Sequence, residues 1–136
     1  MKHHLKILIL SLLFGFVSSY AEGQEKPFVV PIDSDGVQRV VAVAGSYYFK
    51  PEHIIVKVNI PVEVIISKEA GIAPHNFVIK EPEAVIEVNE RLSTKQKGIK
   101  FTPEKVGEYQ FYCDKRLLFF KSHREKGMNG ILEAIE

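Results

Sequence analysis

Cys113, His123 and Met128 fall within the stretch Gly107–Leu132, GEYQFYCDKRLLFFKSHREKGMNGIL. Cys113 is the sole cysteine, and Met128 is the sole methionine besides Met1. A thiolate, an imidazole and a thioether form a soft to borderline ligand set, which suits copper and would be wasted on calcium or magnesium. A trigonal copper site takes two imidazoles, one thiolate and a weak axial thioether. The second imidazole is available upstream at His75, in the step Pro74-His75-Asn76, at the mouth of the apolar run Phe77, Val78, Ile79. The four side chains together could hold one copper ion and cycle a single electron.

Other chemistries fit these residues less well. A dinuclear copper centre needs two cysteines and c-type haem attachment needs Cys-x-x-Cys-His, and neither occurs. A structural zinc site draws on several cysteines or histidines and has no use for a thioether. A nucleophilic Cys-His enzyme needs an activated thiolate and an orienting partner, and no such setting surrounds Cys113; the expectation is a protein that is not an enzyme. His53, among isoleucines on a strand, reads as an ordinary partly buried histidine. Tyr47 and Tyr48 read as packing residues.

These ligands need a scaffold to position them. The chain has 136 residues, 46% of them hydrophobic, which is enough for one domain with a real core and too few for two. Its start looks like an export signal. Lys2 and Lys6 flank the apolar run Ile7–Val17, and Ser19-Tyr20-Ala21 places small residues before a cut at Glu22. The run is about half the ~20 residues a spanning helix needs, and no cysteine follows it closely enough to carry a lipid. The expected organisation is a signal peptide over 1–21 and one domain over 22–136, delivered to the periplasm. Losing Lys2 and Lys6 leaves 16 of the 18 basic side chains against 17 acidic ones, a net charge of −1 that gives no reason to expect nucleic-acid binding. An oxidising compartment normally pairs its cysteines, so a lone Cys113 there is protected or employed.

From Pro27 onward the pattern is β. Phe28–Ile32 is a short apolar run, Asp33–Gly36 (DSDG) is a turn, and Val37–Ala44 is a valine-rich strand. His53–Val58 and Val62–Ser67 are β-branched runs joined through Asn59-Ile60-Pro61, and His75–Lys80 is a further strand. Glu81–Ile99 is charged, with Ala84–Val88 readable as a strand or a short helix. About six to eight short strands with turn chemistry between them predict an all-β, Greek-key β-sandwich. Within GEYQFYC the period of two puts Tyr109, Phe111 and Cys113 on one face, so the thiolate emerges at the apolar end of a strand.

The segments GEYQFYC, APHNF and GMNGILEAI resemble the copper-site segments of cupredoxins, most closely plastocyanin-like members, and Tyr48–Val58 resembles an early hairpin of that family. The likeness covers roughly Phe49 to the C-terminus. It implies a cupredoxin-like sandwich holding one Cu(I)/Cu(II) ion, with His75, Cys113 and His123 as equatorial ligands and Met128 as the axial one. It also implies that Asn76 braces the two ligand loops. The sequence departs from the family pattern in the nine residues Asp114–Ser122 between the cysteine and the second histidine, where plastocyanin-like members have few.

The functional expectation is an exported one-electron carrier; the alternative is a periplasmic copper-binding, copper-transfer or copper-resistance protein. In the insert, Leu117, Leu118, Phe119 and Phe120 are four consecutive apolar residues that cannot all be buried on one side. Lys115, Arg116, Lys121, Arg124 and Lys126 surround them against Asp114 and Glu125. This suggests docking near Lys115–Lys126 of an acidic redox partner such as a cytochrome or oxidase subunit, with the electron leaving through His123, and a weak membrane-surface or oligomer contact through Leu117–Phe120.

Overall fold

The computed structural model describes residues 25–136; the expected signal peptide over 1–21, with His3 and His4, lies outside the described residues. Two sheets face each other. One contains β1 (Phe28–Val29), β4 (His53–Lys57), β10 (Asn129–Ile135), β9 (Gly107–Tyr112), β6 (Asn76–Glu81) and β7 (Ile86–Arg91), in that spatial order. The other runs β3 (Phe49–Lys50), β2 (Gln38–Ala44), β5 (Val62–Lys68) and β8 (Lys97–Phe101). Only the single turn Pro82–Ala84 is helical among the described residues, so the fold is an all-β sandwich in one domain. No helix among them is long and apolar enough to cross a membrane.

The alternation read from the sequence decides which side chains meet. Val40, Ala42 and Ala44 on β2, Val62, Val64 and Ile66 on β5, Ile54 and Val56 on β4, and Leu132 and Ala134 on β10 point inward and are buried. β6, a central strand, is buried at four successive positions from Asn76 to Ile79. Phe49, Phe77 and Phe111 form an aromatic triad in the core, with ring centroids 5.2–5.7 Å apart. Away from the metal end, one polar side chain, Gln38, is also fully buried. Gln38 donates to the carbonyls of Lys57 and Ile60 and accepts from the Lys57 N–H, so its burial carries no unpaired group.

Several expectations are corrected. Among the described residues ten strands form where six to eight were expected: Phe49–Lys50 adds the short β3, and the charged segment after Glu81 supplies β7, after the Pro82–Ala84 turn, and β8. On β7 the residues Ile86 and Val88 face the core while Glu87 and Asn89 face water, so the segment alternates despite its charge. The Phe28–Ile32 run forms a strand over two residues only, with Phe28 and Val29 exposed and Val30 buried. His75 precedes its strand instead of opening it. Tyr47 and Tyr48 pack from the surface, each exposed in the turn after Gly45, with the Tyr48 ring against Gly45. His53 is partly buried as expected, with Nε2 2.9 Å from a Glu133 carboxylate oxygen.

Candidate metal centre

Three neighbouring strands carry the candidate ligands to one end of the sandwich. His75 ends the β5–β6 connection, Cys113 directly follows β9, and His123 and Met128 lie in the β9–β10 connection. Antiparallel pairing sets their register. Val78 lies opposite Tyr112, which brings Asn76 level with Asp114, and Asn129 opposite Tyr112 brings Met128 level with Cys113. The Cys113 N–H donates to the Met128 carbonyl at 3.1 Å.

The donor atoms converge. Cys113 Sγ lies 3.8 Å from His75 Nδ1 and 3.6 Å from His123 Nδ1, and the two Nδ1 atoms are 3.1 Å apart. All three side chains are buried, and among the described residues they form the only cluster of three or more histidine, cysteine or carboxylate groups able to share an ion. With bond lengths such as those of zinc, about 2.0–2.1 Å to nitrogen and 2.3 Å to sulfur, donors arranged in a triangle stand roughly 3.5–3.8 Å apart. The observed sulfur–nitrogen separations match that spacing. Met128 is fully buried, and its N–H donates to the His123 carbonyl at 2.9 Å. Two imidazoles and one thiolate, with a buried thioether on a residue whose backbone bonds to both Cys113 and His123, form a donor set that fits copper.

The surroundings prepare these groups for a metal. Burial, with the neighbouring His123 and Lys68 disfavouring a second positive charge, pulls the His75 imidazole down to about 4, so it is neutral near pH 7. Burial also lowers His123, with Lys126 adding to the effect. Neutral imidazoles are the ligating form. Burial pushes the Cys113 thiol up, against the backbone N–H groups of Asn76 and Lys115. A raised thiol is the reverse of what a nucleophilic cysteine needs, whereas a metal ion would deprotonate it on binding.

Asn76 braces the two loops as the resemblance implied. Its backbone N–H points at Cys113 Sγ at 3.4 Å. Its side chain donates to Asp114 Oδ1 and Asn89 Oδ1, both at 2.9 Å, and accepts from the Asp114 N–H at 3.1 Å. The far side of the site is closed by residues that nothing in the sequence tied to it. Ser122 and Glu125 cap the turn that carries His123: the Ser122 N–H donates to Glu125 Oε2 at 2.7 Å, and the Glu125 N–H donates to Ser122 Oγ at 3.2 Å. The spacing Ser-x-x-Glu was a legible signal for this reciprocal arrangement. Tyr47 lies edge-on to the His123 ring, with centroids 5.2 Å apart, and Lys126 Nζ sits 3.1 Å from its hydroxyl and 4.5 Å from its ring. His123 is left 1% exposed beneath them. His75 borders a cavity of about 220 Å³ lined by Gly45, Ser46 and the Lys68–Ala73 loop.

Sandwich, topology and buried donor cluster together define a single-domain β-protein with one candidate mononuclear soft-metal centre. The chain belongs to the cupredoxin-like domain family, which matches residues 6–128. Solved structures share the fold. The metal binding domain of the Cu(I) exporting P-type ATPase CopA of Streptococcus pneumoniae D39, solved with Cu(I), superposes with a TM-score of 0.64 at 20% identity over 84% of this chain and 100% of that one. A copper binding protein in its apo form gives 0.61 at 18% identity over 81% and 98%. Auracyanin B gives 0.57 at 16% over 79% and 94%. No curated protein matches the sequence.

Proposed function

We propose that the protein is an exported carrier of single electrons that holds one copper ion per chain. His75, Cys113 and His123 are its strong ligands and Met128 its weak axial one. The observation that carries this reading is the convergence of the three donor atoms, all within 4.8 Å of one another, in a buried pocket. Copper, when bound, supplies a Cu(I)/Cu(II) couple. The protein's own residues do the rest. The imidazoles arrive neutral, Cys113 gives up its proton, and the Asn76 N–H on the sulfur, together with the Asn76–Asp114 bonds, keeps both loops in one geometry for either oxidation state. Burial keeps bulk water away from the donors.

Export, with cleavage after Ala21 and the domain over 22–136 working in the periplasm, belongs to the same proposal. The intact mass of protein recovered from the periplasmic fraction tests it.

The second reading, copper transfer, draws on one feature. The cavity beside His75 offers a metal ion a way in and out, and a similarly folded domain belongs to a Cu(I) exporter. Protein-film voltammetry separates the two. An electron carrier gives a reversible one-electron wave and keeps its copper through repeated cycles in the presence of a Cu(I) chelator. Loss of the wave as copper passes to the chelator on the same timescale would establish the transfer reading instead. Copper-loaded Cys113→Ser should lack the strong visible thiolate-to-copper band, and persistence of that band would refute the ligand assignment.

A further inference from the structure

We propose that the turn Leu117–Phe120 is a membrane-docking tip, which seats in the headgroup region of a bilayer carrying anionic phospholipid and holds the metal end of the sandwich against it. The turn is closed by the Phe120 N–H donating to the Leu117 carbonyl at 3.1 Å. Its four side chains are 37%, 73%, 86% and 49% exposed in sequence order. Turns are ordinarily built from Gly, Asn, Asp, Ser and Pro. Here every position is a large apolar residue, and Leu118 sits at φ 52°, in the left-handed region that leucine seldom adopts. The Phe119 and Phe120 rings stack on each other, with centroids 5.0 Å apart, instead of folding into the core.

The shape favours lipid over protein. Four consecutive side chains on a turn point in different directions, so a protein surface would need a closely shaped socket to cover them all. A fluid interface closes around such a tip from every side.

The charges agree. Lys115, Arg116, Lys121, Arg124 and Lys126 stand against Asp114 and Glu125, five against two, a local charge of +3. None of the five cations is in an ion pair among the described residues. Arg124 lies over the Tyr112 ring at 3.8 Å and Lys126 over Tyr47, partners that bring no compensating negative charge. Each cation held near an anionic leaflet strengthens binding about fivefold. Tyr47, exposed beside Lys126, adds an aromatic ring with a polar edge of the kind that collects at membrane interfaces. The loop closes at its base through the His123 N–H on the Lys115 carbonyl at 2.7 Å, which fixes the tip relative to the candidate ligand.

The proposal stands on the turn and its charges and is independent of which metal the site holds. The test uses the chain from Glu22, which retains all the described residues and the whole donor cluster, with phosphatidylcholine vesicles prepared with and without phosphatidylglycerol. The protein should sediment with the phosphatidylglycerol vesicles at low salt and release as salt is added. The double variant Leu118→Ser, Phe119→Ser should bind at least about tenfold more weakly, with its melting temperature and visible spectrum unchanged because neither side chain is in the core. Failure of the unsubstituted protein to bind these vesicles would overturn the proposal. Equal binding by the double variant would overturn it too. Two other outcomes would replace it: a concentration-dependent dimer in lipid-free sedimentation that the variant abolishes, or vesicle binding that is unchanged while affinity for an acidic c-type cytochrome is lost.

Discussion

Tyr47 changes the status of His123. Without its ring and the Lys126 side chain that holds it, a buried imidazole would lie open to water at the edge of the site. Tyr47→Ala should therefore leave the fold intact, with a stability loss of about 1 kcal/mol from the aromatic pair. It should also accelerate extraction of bound metal by a water-soluble chelator, which a stopped-flow assay reads directly; unchanged extraction would show that Tyr47 does not seal the centre. His75 makes a second prediction, for the metal-free protein. Its folded pKa is lowered from 6.5 to about 4 by burial. Between those values the unfolded chain takes up a proton that the folded protein refuses, so stability is fully present above about pH 6.5 and falls as the pH drops toward 4. Denaturant titrations across that window should show the midpoint decreasing with pH. His75→Ala should flatten the dependence.

At the scale of strands and loops, Gly130 shows how tightly the site is built. A Cβ there would run into the Phe111 ring and the Glu52 backbone carbonyl, at the point where β10 passes β9 and β4. Phe111 is two residues before Cys113, so Gly130→Ala should push on the ligand strand itself. The expected cost is about 1–3 kcal/mol, read as a lower midpoint in chemical denaturation with a perturbed metal spectrum. The interior strands around this point were legible in the sequence, because period-two alternation over β2, β4, β5 and β9 is strong and their faces are unlike. β1 and β3 were not, since two residues are too few to leave a period. β7 and β8 were obscured by Glu87, Glu90, Lys97 and Lys100, charges that face water and mask the inward Ile86, Val88 and Ile99. The donors were legible because a lone cysteine, a lone internal methionine and a His-Asn step carry rare chemistry. Tyr47 was not, because its place over His123 depends on a backbone at φ 67° and on where the turn after Gly45 lands in space.

Across the whole molecule, the sandwich keeps its donors, its apolar tip and the five cations around that tip at a single end. The β5–β6 connection supplies His75, the β9–β10 connection supplies the remaining donors and the tip, and the Tyr47 turn closes over them. A rigid body of this kind can present a metal centre to one surface while the opposite end contributes only stability. The central claim is that these donors share one copper ion. X-ray absorption at the copper edge of the loaded protein tests it most directly. The expected result is one copper per chain with a first shell of two imidazole nitrogens and one short sulfur, the sulfur disappearing in Cys113→Ser. A first shell of nitrogen and oxygen alone, the same in both proteins, would contradict it.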